Sequence, residues 1–418
     1  MSRKSFRIPV LAMLTAGTVL YAMANIQRVA IPGAVFNQLQ SRLDVSAPCI
    51  TALGSSFMYI YAVCQLLIGF VIDRFGGVRT IIAGSLVFCA GSILFAFIPN
   101  LALLYLARGL TGLGASAFYL SLIYEVLRIF RKNSTLAVSA VILIGYMGGV
   151  IANAPFTLAV NHWGLSPVLF ALAGMSAAAA VFFMIFGSVL HLSAERSVSL
   201  RLEPFLSVLK EPNNRFIFIF SSINWGVYYV VQTVIGKKFL EDLGIFTENQ
   251  AAWILSCMGI ISAFSGFAFA LCSRLAGNRR QIFCRIAGTV CFAVMLLEGI
   301  LILCNVKTVF MGILFLILSM TASISAILIP LLKETNLPRL VPYAVAEMNF
   351  CFYAAVAVFG NLTGFLQNLF PPVRHGGILI YSRSSYFCIF LFLLSCAVPA
   401  FFCSWKVREP QNKTFPQK

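Results

Sequence analysis

The sequence predicts an all-α integral membrane protein of twelve transmembrane helices in two pseudo-symmetric six-helix halves. Three observations carry that expectation. Of 418 residues, 60% are hydrophobic and 10% charged, with a mean hydropathy of +0.93, a balance that makes lipid rather than water the solvent for most of the chain. Apolar runs of about 20 residues, the length a helix needs to cross a hydrocarbon core about 30 Å thick, recur along the chain between short polar loops. A charged, glycine-containing turn at residues 69–79 also returns in altered form at 273–279.

The first half contains runs at 9–35, 49–71, 80–98, 101–127, 136–160 and 167–189. Each is expected to be a helix, because a helix satisfies its own backbone hydrogen bonds where no water is present. Residues 1–7 are basic and Ala22-Met23-Ala24 has the small-x-small look of a leader-peptidase site. The apolar stretch continues past that point, however, so it is read as the first span. Segment 191–215 carries Glu195, Arg196, Arg201, Glu203, Lys210 and Glu211 with few aromatics, and reads as a cytoplasmic loop between the halves. The second half contains runs at 216–235, 251–271, 286–304, 308–332, 341–370 and 386–402. The expected organisation is a bundle at 1–190, the loop at 191–215, a second bundle at 216–405 and a cytoplasmic tail at 406–418.

Net charge is +17. In a membrane protein such an excess belongs to cytoplasmic loops rather than to nucleic-acid binding. Placing both termini inside leaves only Arg42, Lys237, Lys238, Lys307, Arg374 and Arg383 of the 30 basic residues in outer loops, with Arg28 and Arg108 inside spans. The 12 cysteines, among them Cys64, Cys89, Cys257 and Cys388, lie scattered in apolar runs without CxxC spacing, so neither a disulfide framework nor a metal or cofactor site is expected. His162, His191 and His375 fall in loops, and neither HExxH nor GxSxG occurs, which argues against an enzyme.

The turn between the second and third spans reads Gly69-Phe-Val-Ile-Asp73-Arg74-Phe-Gly76-Gly77-Val-Arg79. It resembles the G-x-x-x-D-R-x-G-x-x-R signature of the major facilitator superfamily. Gly69 is expected to permit close helix approach, Gly76 and Gly77 a tight turn, and Asp73, Arg74 and Arg79 to exchange partners between two conformations. Glu125, at the inner end of the fourth span, is expected to complete an ion pair with this turn. Downstream, Ser273-Arg274-Leu-Ala276-Gly277-Asn278-Arg279 aligns Arg274, Gly277 and Arg279 with Arg74, Gly77 and Arg79, although Ser273 replaces the carboxylate and Phe269 the packing glycine. Arg108-Gly-Leu-Thr-Gly112 resembles the superfamily's R-x-x-x-G element. The fifth span has a small-residue and kink pattern, Gly145, Gly148, Gly149 and Asn153-Ala-Pro155, but not the G-P-x-x-G-G core of its drug/proton antiporters. Tyr59, Tyr61 and Gln65 ahead of the turn, with Arg28 in span one, are similar to a bacterial branch of nutrient and organic-solute permeases.

The resemblance implies a cavity lined by spans 1, 4, 7 and 10, opened alternately to either side. Candidate solute contacts are Tyr21, Asn25 and Arg28, which share one face by three-to-four spacing, together with Arg108, and Trp225, Tyr228 and Gln232 on span seven. Glu347 in span eleven and Glu298 in span nine are the candidate proton-coupling carboxylates, since a buried carboxylate is costly unless it is functional or paired. The expectation is a monomeric secondary transporter of a small polar or anionic organic solute, such as an amino acid, peptide or sugar acid, in a cell (inner) membrane, with a proton as candidate coupling ion. Facilitated uniport, exchange, export and a non-transporting receptor on the same fold remain open.

Overall fold

The computed structural model describes residues 3–98, 100–130, 134–189, 203–277, 279–375 and 378–409. Asn278, the His191, Glu195, Arg196 and Arg201 portion of the central segment, and the tail from residue 410 lie outside the described residues. By its contacts the chain divides into two compact units, Met1–Leu43 with Leu53–Leu200, and Asp44–Ala52 with Arg201–Lys418.

The first unit contains α1 (Arg3–Ala30), α2 (Phe36–Leu43), α3 (Ala47–Phe75, whose first turns group with the second unit), α4 (Gly77–Phe97), α5 (Leu101–Ser116), α6 (Phe118–Ile129), α7 (Ser134–Ile151), α8 (Ala154–Trp163) and α9 (Leu165–Val189). Helices α5 and α6 form one span, Leu101–Ile129, interrupted at Ala117. The fifth run is bent by 46° between α7 and α8. Pro155 sits in the first turn of α8, where its missing N–H costs nothing, and Asn153 turns its side-chain amide back onto the Gly149 carbonyl at 3.1 Å. The kink expected from Asn153-Ala-Pro155 is therefore present, with its freed carbonyl satisfied.

Helix α4 packs against α5, α6 and α9, and α1 against α7 and α9. Small residues bring the first pair together. A Cβ at Gly114 would lie 2.5 Å from the Gly84 carbonyl oxygen and 2.5 Å from the Phe88 nitrogen, and one at Gly84 would meet Ala117. Lipid tails supply no hydrophobic drive between helices, so close backbone approach is the device that holds them.

The second unit contains α10 (Glu203–Lys210), α11 (Pro212–Val230), a π-helical turn Val231–Ile235, α12 (Gly236–Asp242), α13 (Glu248–Leu275), α14 (Arg280–Leu303), α15 (Phe310–Ser319), α16 (Ser325–Thr335), α17 (Val341–Gln367), the antiparallel hairpin β1 (Val373–His375) with β2 (Ile378–Ile380), and α18 (Arg383–Lys406). Helix α14 packs on α18, and α11 on α17 and α18. Among the described residues ten helices are long and apolar enough to cross a bilayer, eleven with the bent pair. The tenth run, 308–332, folds instead as two shorter helices, α15 and α16, around a break at residues 320–324.

Two features depart from the expected loops. Glu203–Lys210, inside the expected central loop, is helical. Lys237 and Lys238, expected in an outer loop, are 3% and 2% exposed within α12. Lys238 Nζ bonds Asp242 Oδ1 and the Leu379 carbonyl, both at 2.6 Å, while Asp242 Oδ2 accepts from the Tyr386 hydroxyl at 2.7 Å and the Tyr381 N–H at 2.9 Å. Lys237 bonds Glu248 at 3.0 Å. Charges hidden from water need such complete pairing, and this network ties α12 to the hairpin and to α18.

Gly114→Val is expected to lower the unfolding temperature of the detergent-solubilised protein by about 5 °C or more, the usual scale of overpacking. A thermal unfolding curve followed by size-exclusion fluorescence checks this.

Candidate functional site

The turn at residues 69–79 is built differently from the expectation. Gly76 has φ 82°, in the left-handed region that glycine tolerates, so the chain can leave α3 and enter α4 without a loop. Gly77 lies against Glu125: a Cβ there would stand 2.6 Å from Oε1 and 2.8 Å from the Ser121 carbonyl. Glu125, 1% exposed, accepts from the Val78 N–H at 3.2 Å. Gly76 has no side chain to cap α4, so a carboxylate from α6 does it, aided by the positive end of the helix dipole. The expected ion pair between Glu125 and the turn's side chains is thus corrected to a backbone cap. Asp73, Arg74 and Arg79 are exposed and make no ion pair among the described residues. Gly69 is also corrected: it is exposed and a Cβ there would meet nothing within 4 Å, so it is not a packing glycine.

In the second unit the left-handed glycine is Gly277, φ 71°. The conformational counterpart of Gly277 is therefore Gly76, not Gly77, a one-residue shift from the sequence alignment. Arg274 and Arg279 are exposed and make no ion pair among the described residues. The pairing at this turn belongs to Arg280, at the start of α14, with Glu334 of α16. Sequence reasoning missed it because the carboxylate comes from a helix 54 residues away.

Arg108 is 1% exposed and fully engaged. Its Nε donates to the Leu53 carbonyl at 3.1 Å, and its two terminal nitrogens to the carbonyls of Gln27 at 3.1 Å and Ile31 at 3.3 Å. The guanidinium lies 4.7 Å from the Phe57 ring centre. Arg108 therefore binds α5 to α1 and α3 through backbone oxygens, which corrects its assignment as a solute contact.

Arg28 meets two side chains of its surroundings. It is 6% exposed, bonds the Asn25 side-chain oxygen and stands 5.8 Å from the Tyr61 ring. Tyr61 stacks on Phe57 with 5.8 Å between centres, so two rings of α3 separate the two arginines. Asn25 also donates to the Tyr21 carbonyl at 2.9 Å, and the Tyr21 ring lies 5.5 Å from Tyr119. The expected grouping of Tyr21, Asn25 and Arg28 on one face is present in α1. Tyr61 joins them from a motif position that the sequence reading noted but did not assign to the site.

On α11, Trp225 lies 5.6 Å from Tyr228, 5.5 Å from Tyr229 and 5.9 Å from Phe352 of α17, the last pair stacked. Contacts advance together along both helices, since Gly226 meets Ala355 and Phe359, so α11 and α17 run parallel. About one turn earlier on each stand Ser221 and Glu347. Trp225 Nε1, Ser221 Oγ and Glu347 Oε2 are buried with no hydrogen-bond partner among the described residues. Gln232, buried, falls in the π-helical turn, whose extra residue moves it off the α-helical spacing that aligned it with Trp225. Glu298 of α14 is fully buried, and neither of its oxygens is bonded among the described residues. No group of His, Cys, Asp and Glu suited to a metal occurs among them.

Asn224 serves the break in run 308–332. Its amide donates to the Thr321 carbonyl at 3.2 Å and accepts from the Thr321 hydroxyl at 3.4 Å, while Ser323 Oγ donates to the Ser262 carbonyl at 2.6 Å.

A family model described as the Major Facilitator Superfamily matches residues 13–366. Solved structures share the fold. The nucleoside transporter NupG aligns at a TM-score of 0.72 and 14% identity, over 96% of this chain and 99% of its own. A peptide transporter described as an auto-inhibited member of the POT family aligns at 0.72 and 12%, over 98% and 99%. A second POT peptide transporter aligns at 0.74 and 13%, over 97% and 94%.

Arg108→Gln strands three buried carbonyls and is expected to destabilise the protein by about 2–4 kcal/mol, read as a loss of folded, monodisperse protein on heating. Gly69→Val is expected to leave the same heating curve unchanged.

Proposed function

We propose, for a chain that belongs to the major facilitator superfamily, that it moves a small polar or anionic organic solute across a cell inner membrane by alternating access, as a monomer. The observation that carries this reading is Arg28: a buried guanidinium in span one that bonds the Asn25 side chain and stands beside the Tyr61 ring. Guanidinium geometry suits carboxylate or phosphate recognition, and intramembrane cations are retained where they serve function. Tyr21 and Asn25 share this role in the first unit, and Trp225 and Tyr228, with Gln232, supply contacts from the second.

Glu347 is the preferred proton carrier. It has an oxygen with hydrogen-bonding capacity to spare and lies on a helix packed against α11, while Glu298 is the second candidate. The exposed Asp73, Arg74 and Arg79, with Arg274 and Arg279, act as the polar groups that re-pair during the conformational cycle, and Glu125 fixes the turn that carries the first three. Both termini are cytoplasmic, because burial of Lys237 and Lys238 within α12 leaves the outer loops still poorer in free positive charge. Nucleosides and short peptides, named for the structural neighbours, are the first solutes to test, beside amino acids and organic acids.

The test is uptake of these labelled pools into proteoliposomes with and without an inward proton gradient. Wild type should accumulate one pool under the gradient, Arg28→Ala should lose about tenfold or more of that flux, the scale of one charge-assisted contact, and Glu347→Gln should keep exchange while losing accumulation. Gradient-independent, Arg28-insensitive equilibration would sink both the anion-site and the coupling proposals.

A further inference from the structure

At the end of the second unit where α11 and α14 begin and α18 finishes, a cavity of about 750 Å³ is lined by residues that include Arg285, Trp405, Lys406 and Arg408. We propose that this cavity binds a phosphate-bearing anion, the headgroup of an anionic phospholipid or free phosphate, at the membrane boundary.

Its construction is specific. Arg285 Nε is buried with no hydrogen-bond partner among the described residues, and the guanidinium sits 5.0 Å from the centre of the Trp405 ring. Lys406 Nζ stands 5.6 Å from the Phe216 ring. Arg408 is fixed by its backbone alone: its N–H donates to Asn213 Oδ1 and its carbonyl accepts from Asn213 Nδ2, both at 2.9 Å. The charged end of Arg408 is therefore placed at the rim without being consumed. None of these three cations has an ion pair among the described residues.

The acidic residues nearby do not cancel them. Glu409 is turned toward the backbone, its Oε1 accepting from the Gln281 N–H at 2.9 Å, and Glu334 is paired with Arg280; counting Glu409 with Glu211 still leaves three cations against two carboxylates. Glu211 is the carboxylate among the lining residues, so the cavity keeps an excess of positive charge. Trp405 is half exposed, as an interfacial ring is. Basic pockets between helices with an aromatic flank at the interface are suited to phosphate headgroups, whose acyl chains continue along the apolar helix surface. The volume falls within the range of small-molecule sites. None of these residues belongs to the solute or gating groups above, so the inference stands apart from the transport reading.

The test uses purified, delipidated full-length protein, with binding read by native mass spectrometry and by thermal unfolding. Phosphatidylglycerol, phosphatidylcholine and inorganic phosphate are the probes. Phosphatidylglycerol should bind saturably and raise the unfolding temperature, and phosphatidylcholine should not. R285Q/R408Q should weaken phosphatidylglycerol about thirtyfold, the effect of two interfacial charges. K333Q/R339Q, an equal charge loss at exposed positions outside the cavity, should bind as wild type, which separates the site from bulk charge. An equal, Arg285-dependent response to inorganic phosphate would identify the free ion as the source, and its absence the lipid. Equal retention of both lipids, or wild-type binding by folded R285Q/R408Q, would overturn the proposal.

Discussion

In a bilayer a backbone N–H or C=O that leaves a helix finds no water, and each one left unpaired costs several kcal/mol. This constraint orders the whole molecule. Two interruptions of spans are met by nearby polar side chains: Asn153 takes the Gly149 carbonyl at the bend between α7 and α8, and Asn224 takes the Thr321 carbonyl at the break before α16. Arg108 does the same across helices, holding three carbonyls of the first unit. Where a turn is too short to include a capping side chain, Glu125 reaches across from α6 to cap α4. The breaks can exist because these groups are placed to receive them.

A second group of buried polar residues is distinguished by the atoms it leaves open. Trp225 Nε1, Ser221 Oγ and Glu347 Oε2 make no hydrogen bond among the described residues, and Arg28 bonds the Asn25 side chain. Buried polar atoms are nearly always satisfied in folded proteins, so unpartnered ones are the atoms on which the proposed solute and proton contacts are built. The division between polar groups that complete the backbone and polar groups that do not is the structural basis of the functional assignment.

Much of the architecture was legible in the sequence because bilayer thickness fixes span length. The positions of nearly all helices, the kink at Asn153-Ala-Pro155 and the shared face of Tyr21, Asn25 and Arg28 follow from run length, proline and helical spacing. What was not legible depends on long-range partners. Arg108 and Arg28 look alike as arginines within spans, and only the contacts show that Arg108 clamps three backbone carbonyls while Arg28 bonds the Asn25 side chain. Lys237 and Lys238 looked like loop residues because the partners that make their burial tolerable, Asp242, Glu248 and the carbonyl of Leu379, include groups far along the chain. Gly69 matched a signature position, yet a Cβ there would meet nothing within 4 Å, whereas the close approach belongs to Gly77 and to the Gly84–Gly114 pair. A one-residue shift between Gly76 and Gly277 is similarly invisible until backbone angles are known.

The measurement that tests this division most directly plots transport rate against unfolding temperature for Arg108→Gln, Asn224→Ala, Arg28→Gln and Trp225→Phe in one preparation series. The account predicts two groups: the first two variants lose stability and transport together, and the last two lose transport while unfolding near the wild-type temperature. If all four fell on a single line of stability against transport, Arg28 and Trp225 would be structural residues like the others, and the solute-contact assignment would be contradicted.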